Sequence, residues 1–246
     1  MQTFYSTDVG KIREHNEDNV IILNNDNGEY LLAVADGMGG HKAGEVASAI
    51  VIDHLTQEFY KVDSLGDKDS AIDFLRNIVV EMNDKIFEYT KENPDSKGMG
   101  TTFVCAIKTR DYLLYGNIGD SAGYVIKKNK MHKVTRDHTL DNLLVSTGEL
   151  TKEEAKYHPR KNVLMRAIGA NNPIEIDIFD VENTTDGILL CSDGLTNMLT
   201  EEQIEKVLVE EKNVEDAVRK LIKKANARGG NDNISVAYLK KESGDL

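Results

Sequence analysis

Residues 30–40 read YLLAVADGMGG, an apolar run that ends in an aspartate followed by a glycine-rich turn. The apolar part predicts a β-strand, because short apolar runs bounded by glycine are typical of strands. The glycines after it permit a tight turn close to a ligand. The stretch therefore predicts that the Asp36 carboxylate is held rigidly where a strand ends at the rim of a sheet.

Four other acidic motifs repeat this design, and they are Glu17-Asp18 in REHNEDNVII, Asp120 in LYGNIGDSAG, Asp193 in ILLCSDGLTN and Asp232 in RGGNDNISVAY. Each places a carboxylate in a short polar or glycine-rich turn, mostly beside an apolar strand. Carboxylates that converge from such turns repel one another strongly unless cations neutralise them. Hard oxygen ligands favour Mg²⁺, Mn²⁺ or Ca²⁺ over soft metals, and no Cys/His cluster offers a zinc site. The repetition therefore indicates a site for divalent cations.

Each motif has a plainer interpretation when it is taken alone. Asp-Gly is a common hairpin-turn dipeptide, which is how we interpret Asp186-Gly187, and Asp232-Asn233 could form a simple turn. For any single aspartate we favour the turn, and only the joint occurrence of the motifs favours a metal site. The EF-hand pattern and the P-loop are both absent, which argues against a calcium-binding protein of that type and against a nucleotide phosphate loop.

Short apolar runs predict strands, the clearest of them at residues 20–23, 30–35, 101–107, 112–118, 174–181, 188–191 and 234–239. Amphipathic spacing predicts helices at residues 43–55, 72–89 and 214–225, and a Thr200 cap predicts a fourth helix in TEEQIEKVL. The strands come in pairs separated by short turns and the helices come in separate blocks, so the predicted class is α+β with antiparallel sheets. Residues 141–166 fit neither a helix nor a strand well.

The net charge of −12 on 246 residues argues against a nucleic-acid partner, because binding to a phosphate backbone needs a basic face. No apolar run is long enough to span a bilayer, and the N-terminus MQTFYSTDVGKIREHNED lacks the basic-then-apolar order of a secretory signal. We therefore expect a cytoplasmic protein without membrane insertion. No Pro/Gly/Ser-rich linker divides the chain, which favours a single domain.

The two cysteines, Cys105 and Cys191, each follow an apolar run and are expected to be buried thiols. A phosphatase with a cysteine nucleophile would need an arginine six residues after the cysteine. Asp111 and Asn197 stand at those positions, so the sequence does not support this covalent chemistry.

Taken in order, RxxxED, ADGMGG, GTT, GDSA, CSDGLTN and GGNDNISV resemble the metal-dependent protein phosphatases of type 2C, the PPM family. The resemblance extends from Arg13 to Val236, and the compact length and the ADGMGG form resemble the bacterial branch that opposes eukaryotic-type serine/threonine kinases. It implies a sandwich of two antiparallel β-sheets flanked by α-helices on both sides. It also implies one catalytic domain over residues 1–246, with a flap at about residues 141–170 near the metal cleft.

The resemblance further implies a set of metal ligands. Asp36 would bridge two Mn²⁺ or Mg²⁺ ions, with the carbonyl of Gly37 on one of them, and Asp193 and Asp232 would complete the other. Asp120 matches the position that, together with Asp193, holds a third and weaker ion in bacterial members. Two cations that share one carboxylate lie close together, so water between them would lose a proton near neutral pH and attack phosphorus directly.

Other matched positions would act without binding metal directly. Arg13 matches the arginine that grips the substrate phosphate, a role that suits a planar guanidinium. Glu17 and Asp18 would hold metal-bound waters, and Thr102 and Asn233 match positions that support the ligands.

One position departs from the family pattern. Animal members carry a histidine after the DG of the first metal loop as a proposed general acid, and Met38 stands there in this sequence. His41 could substitute as proton donor, although a solvated histidine at a helix start is the plainer interpretation. A metal-bound water could also protonate the leaving group. The other histidines singled out, His15, His132, His138 and His158, have no supporting pattern.

The function implied is that of a metal-dependent protein serine/threonine phosphatase, acting as a monomer on phosphorylated proteins that include a cognate kinase. A related enzyme could instead dephosphorylate one dedicated regulator, as anti-anti-sigma phosphatases do, but sensor and coiled-coil segments are absent. A non-catalytic binding module with this fold would have lost metal carboxylates, and all of them are present.

Overall fold

The structure is a computed structural model that describes residues 1–40, 43–160 and 162–242. Along these residues, groups of strands alternate with groups of helices. The strands are β1 (Gln2–Asp8), β2 (Asp18–Asn24), β3 (Tyr30–Met38), β4 (Gly100–Thr101), β5 (Phe103–Lys108), β6 (Leu113–Ile118), β7 (Ala122–Lys127), β8 (Lys130–Lys133), β9 (Asp177–Val181), β10 (Gly187–Cys191) and β11 (Ile234–Lys240). The helices are α1 (Ala43–Lys61), α2 (Lys68–Glu92), α3 (Leu140–Ser146), α4 (Lys152–Lys156), α5 (Asp193–Thr196), α6 (Glu201–Glu210) and α7 (Val214–Ala227).

The strands form two antiparallel sheets. One sheet has the order β1-β11-β10-β7-β8, and the other has the order β2-β3-β5-β6-β9, with the short β4 paired to the end of β3. Neighbours such as β2 and β3 are consecutive in sequence, whereas β1 pairs with β11 from the opposite end of the chain. The first and last strands therefore lie side by side.

The apolar run that ends at Asp36 is buried on both faces. Alternate residues of a strand point to opposite faces, and on β3 the residues Leu32 and Val34 pack between the two sheets, against residues such as Ile188 and Leu190 of β10. The intervening residues of β3 face the helices instead, in a layer that contains Leu31, Ala33 and Ala35. Because both faces are covered, the strand is continuously apolar rather than alternating.

Helices close the outer faces of both sheets. Helices α1 and α2 cover the β3 sheet, and α6 and α7 cover the β11 sheet. The first turn of α7 is capped by Asn213, whose Oδ1 accepts from the N–H groups of Glu215 and Asp216 at 2.7 and 3.2 Å. The predicted start of α6 is confirmed, because Thr200 is its N-cap and the Thr200 N–H donates to Gln203 Oε1 at 3.1 Å. The predicted sandwich of two antiparallel sheets flanked by helices is therefore confirmed.

Two predicted strands differ in detail from the observed ones. The predicted strand 101–107 is divided at Thr102, because the Thr102 N–H and Oγ1 both bond to the backbone of Asp36 across the end of β3. The predicted strand 174–181 begins only at Asp177, where pairing with Asn117 of β6 starts. No continuous apolar run indicated β1, β7 or β8, because β1 alternates half-buried with exposed positions, β7 begins with Ala122-Gly123 and β8 has a single buried residue.

Residues 141–166, whose sequence fits neither a helix nor a strand well, contain the two helices α3 and α4. Both helices are short, and α3 has no buried residue, so the apolar periodicity that identifies longer helices is missing. A local signal for α4 was present in TKEE, where Thr151 accepts from the Glu154 N–H at 3.3 Å and Glu154 Oε2 accepts from the Thr151 N–H at 2.8 Å.

Among the described residues, no helix combines the length and apolar character needed to cross a bilayer.

Both predicted buried thiols, Cys105 and Cys191, are fully buried.

We predict that Leu32→Ala lowers the free energy of unfolding by about 2–5 kcal/mol, because it opens a cavity between the two sheets. The matched control is Leu143→Ala in α3, where the leucine is 44% exposed and the change should stay within about 0.5 kcal/mol. Urea unfolding followed by circular dichroism measures both. Equal losses for the two variants would show that Leu32 is not part of a packed layer.

Candidate metal centre

The ends of five strands, drawn from both sheets, meet at one end of the sandwich. Asp18 opens β2 directly opposite Asp36 near the end of β3, Asp120 follows β6, Asp193 follows β10, and Asp232 precedes β11. Burial raises the pKa of Asp36 well above its usual range, and the charges of the other four aspartates raise it further. The structure therefore brings together the five aspartates that the sequence singled out.

The neighbouring carboxylates are perturbed in the same direction. Burial raises the pKa of Asp120 to about 7, with a further contribution from the charge of Asp193. Burial also raises the pKa of Asp18 to about 7, although a hydrogen bond from Ser192 opposes the shift. The pKa of Asp193 is raised by burial and then by the charge of Asp232. A divalent cation among these groups would relieve both the burial penalty and the repulsion.

Two carboxylate oxygens at this site lack partners. Asp18 Oδ1 and Asp193 Oδ1 are buried without a hydrogen bond among the described residues. The second oxygen of each is satisfied, since Asp18 Oδ2 accepts from Ser192 Oγ at 2.7 Å and Asp193 Oδ2 accepts from Asn197 Nδ2 at 3.0 Å. Buried polar atoms without a partner are costly, so each calls for a ligand. A set of hard oxygen donors with free lone pairs fits Mg²⁺ or Mn²⁺.

The two predicted supporting residues hold the backbone of the site. Thr102 Oγ1 accepts from the Asp36 N–H at 3.0 Å, and the Thr102 N–H donates to the Asp36 carbonyl at 2.9 Å. Asn233 Oδ1 accepts from the Glu17 N–H at 2.9 Å, and its Nδ2 donates to two carbonyls of the β1–β2 loop at 2.9 and 3.0 Å. Thr102 thus fixes the residue near the end of β3, and Asn233 joins the start of β11 to the loop before Glu17.

Glycine is required at two positions beside the carboxylates. A Cβ on Gly37 would lie 2.1 Å from the carbonyl oxygen of Gly44 at the start of α1. A Cβ on Gly194 would lie 1.9 Å from the carbonyl oxygen of Asn233. Both distances are too short for any side chain, so these glycines allow the end of β3 to approach α1 and the start of α5 to approach the segment before β11.

Arg13 lies at the edge of the cluster. Its Nη2 donates to Asp232 Oδ2 at 2.8 Å, and its side chain is 49% exposed. An exposed guanidinium beside the carboxylates can turn toward an incoming anion without leaving a buried charge behind.

Sequence reasoning missed three polar residues next to the ligands. Ser192 and Asn197 bond to Asp18 and Asp193 as described above, and Ser121 Oγ lies 2.8 Å from Thr102 Oγ1. A signal for them was present, since Ser192 and Asn197 stand in the CSDGLTN motif and Ser121 follows Asp120 in GDSA. Met38 pairs with Gly100 of β4 and supplies no titratable group, and His41 lies outside the described residues.

A second group of possible ligands, between α1 and α2, is already engaged in contacts within the protein. His54 Nε2 lies 2.8 Å from Glu81 Oε2, and His54 Nδ1 lies 3.8 Å from Glu58 Oε1. One atom of each side chain lies within 4.8 Å of the other two, but the Glu81 side chain is 54% exposed and is therefore already solvated. Glu58 Oε1 is moreover paired with Lys61 Nζ at 2.6 Å. The candidate metal centre is therefore the aspartate cluster.

Comparison with known proteins agrees with this geometry. The family model described as protein phosphatase 2C matches residues 11–236. The chain is 41% identical over 242 residues to the serine/threonine phosphatase stp of Listeria welshimeri, covering 98% of this chain and 96% of that protein. It is also similar to the crystal structure of the serine/threonine phosphatase Stp1 from Staphylococcus aureus, with a TM-score of 0.89, 38% identity and coverage of 98% and 95% of the two chains.

A third similar structure is the serine/threonine phosphatase PstP/Ppp of Mycobacterium tuberculosis, with a TM-score of 0.83, 33% identity and coverage of 98% of this chain and all of that one. The matched region contains every carboxylate of the cluster, from Glu17 to Asp232. The chain belongs to the protein phosphatase 2C family.

Proposed function

We propose that this chain is a metal-dependent protein serine/threonine phosphatase that hydrolyses phosphoserine and phosphothreonine without a covalent intermediate. The observation that carries the proposal is the convergence of Asp36 with four other aspartates, two of which have buried, unpartnered oxygens. Membership of the protein phosphatase 2C family supports the same reaction. When bound, a pair of divalent cations supplies an activated water and offsets charge on the phosphoryl oxygens.

The proposed ligand set follows the positions of the strand ends. Asp36 and the carbonyl of Gly37, at the end of β3, would hold the ions together with Asp193 and Asp232. Asp120, with Asp193, would hold a third and weaker ion, because fewer protein groups reach that position. Mn²⁺ and Mg²⁺ are the ions that fit these hard oxygen donors. Glu17 and Asp18 would orient the water around the ions.

Arg13 would bind the substrate phosphate. Its guanidinium can donate two parallel hydrogen bonds to phosphate oxygens, and its present partner Asp232 is only partly buried. The chain needs no nucleophile of its own, and both cysteines are buried with pKa values raised by burial to about 12, which keeps them protonated thiols.

We further propose that the chain works in the cytoplasm as a monomeric catalytic domain over residues 1–246, and that its phosphorylated protein substrates include a cognate serine/threonine kinase. A flap at residues 141–170 would shape access for these substrates. The flap carries exposed apolar residues, since Tyr157 is 85% exposed and Leu143 is 44% exposed. Exposed apolar side chains beside a catalytic cleft suit contact with a protein substrate.

The first test concerns Asp36. We expect Asp36→Asn to lower kcat for a phosphothreonine peptide by more than about a hundredfold. Asp36 would bind both ions, and bound ions stabilise the charge of the transition state by several kcal/mol, so the loss of this carboxylate removes much of that stabilisation. The matched control is Asp186→Asn, at the exposed turn aspartate whose Oδ2 accepts from the Lys128 N–H at 2.6 Å. Phosphate release at saturating Mn²⁺ is the measurement, and near-normal turnover of Asp36→Asn would refute the mechanism.

The second test separates phosphate binding from metal binding. Arg13→Ala should raise KM for a phosphopeptide about tenfold while kcat and metal content stay unchanged, because the lost hydrogen bonds to phosphate are made in the ground state. The KM of Arg13→Lys should lie between those of the wild type and Arg13→Ala, because lysine keeps the positive charge but lacks the planar guanidinium. Metal analysis accompanies the kinetics. If metal content fell in parallel with activity, Arg13 would be a structural residue of the cluster.

The third test concerns the flap. We expect Tyr157→Ala to lower kcat/KM for a phosphorylated protein at least about threefold, and to leave hydrolysis of a small chromogenic phosphate ester unchanged, because the ester does not reach the flap. Tyr60→Ala on α1, at a tyrosine that is 61% exposed, is the matched control and should change neither rate. Equal effects of Tyr157→Ala on both substrates, or no effect on either, would remove Tyr157 from substrate contact.

A further inference from the structure

His138 lies beside the Asp120 turn, and sequence reasoning found no role for it. Its side chain is only 10% exposed. The Gly119 N–H donates to His138 Nδ1 at 3.1 Å, and the His138 N–H donates to the Gly119 carbonyl at 2.9 Å. His138 therefore clamps Gly119, the residue directly before Asp120, at both its N–H and its carbonyl group.

These contacts determine the tautomer of the ring. Because Gly119 N–H donates to Nδ1, that nitrogen carries the lone pair and Nε2 carries the proton. Nε2 lies 3.1 Å from Asp177 Oδ2 and donates to it. Burial lowers the pKa of His138 although the hydrogen bond to Asp177 opposes the shift, which is consistent with a neutral ring.

Asp177 is held in turn by the end of the flap region. Arg166 Nη1 donates to Asp177 Oδ1 at 2.7 Å. The Met165 N–H donates to the His138 carbonyl at 2.7 Å, so the same segment binds the histidine backbone. Asp177 also opens β9, in register with Asn117 of β6. Asp177 of β9 thus holds the ring of His138, and Met165 holds its backbone.

The Asp120 turn needs such support. Gly119 has φ +109°, so it adopts a backbone conformation that only glycine takes easily, and glycine adds no side chain to stiffen the turn. Asp120 and Asp193 follow β6 and β10 at the same end of the sandwich, and two carboxylates that share one cation must be held close together although they repel each other.

We propose that His138 is a positioning residue, oriented by Asp177, that holds the Gly119–Asp120 turn so that the Asp120 carboxylate can share a divalent cation with Asp193. This rests on the proposed function, and in particular on an ion at Asp120. A residue that orients a ligand through a hydrogen bond typically changes metal affinity by about 10–100-fold when it is removed. His138 would therefore affect the weakest ion and leave the ions at Asp36 and Asp232 alone.

The test is a Mn²⁺ titration of the whole chain, without substrate, by calorimetry and by the electron paramagnetic resonance of free Mn²⁺. We expect His138→Ala to weaken the weakest site at least about tenfold and to leave the tighter sites as in the wild type. The Mn²⁺ concentration that gives half-maximal phosphate release should rise by the same factor, and excess Mn²⁺ should recover kcat. His132→Ala on β8, at an exposed histidine, is the control and should change nothing.

Two conservative variants separate positioning from general packing. Asparagine places Oδ1 where His138 Nδ1 lies, so His138→Asn keeps an acceptor for the Gly119 N–H and should restore most of the lost affinity. Glutamine reaches toward Asp177 but offers no acceptor at that point, so His138→Gln should behave like His138→Ala. If His138→Asn and His138→Gln bound Mn²⁺ equally weakly, the hydrogen bond to Gly119 would not be what matters. If the weaker binding of a variant were accompanied by a lower melting temperature, His138 would have a structural role only.

A double-mutant cycle completes the design. His138→Ala should cause no further loss in an Asp120→Ala background, because the two residues act on one site. Wild-type affinity in His138→Ala, or a wild-type chain without any Asp120-dependent ion, would overturn the inference. Failure of the proposed function is distinguishable, since in that case the wild-type chain would release no phosphate from phosphopeptides at any Mn²⁺ concentration.

Discussion

Repulsion among buried carboxylates is the constraint on which the rest of this structure depends. Asp36 lies among four other aspartates, and burial together with their charges raises its pKa. Such a cluster stays assembled only where the backbone around it cannot yield, or where cations neutralise it. The molecule meets the first condition through hydrogen bonds from neighbouring hydroxyl and amide groups and through close backbone approaches at Gly37 and Gly194. One oxygen each of Asp18 and Asp193 has no hydrogen bond among the described residues, so both are free to bind such a cation.

The sandwich supplies the rigidity that the cluster requires. β3 is buried on one face by α1 and α2 and on the other by the opposing sheet, so neither end of the strand can shift without disturbing a packed layer. Because the two sheets stack, strand ends that are distant in sequence meet at one rim. The packed layer between the sheets therefore holds the strand ends of the candidate metal centre in place, and a cation that bound only the folded cluster would stabilise the fold.

The proposed flap at residues 141–170 is packed less tightly than the sandwich. Its helix α3 has no buried residue, and α4 consists of a single capped turn. The last part of the flap region is nevertheless anchored, since Met165 and Arg166 bond to His138 and Asp177 beside the Asp120 turn. A segment with few buried contacts can move at low cost, whereas its anchored end cannot. Weak burial is thus a feature of α3, whereas the segment beside the Asp120 turn is held by hydrogen bonds.

The sequence by itself determined the buried strands other than β7, the four long helices and the aspartates at the strand ends, because each has a local pattern of apolar runs, helical spacing or glycine-flanked carboxylates. Apart from Thr102 and Asn233, tertiary structure alone decided which residues form hydrogen bonds with those aspartates or with the turns that carry them. Ser192 bonds to Asp18 although 174 residues separate them, and His138 bonds to the backbone of Gly119 rather than acting at the cleft. It also decided the break at Thr102 and the position of β1 beside β11. A hydrogen bond between distant segments leaves no periodicity in either one, since each partner is an ordinary polar residue until the fold brings the two together.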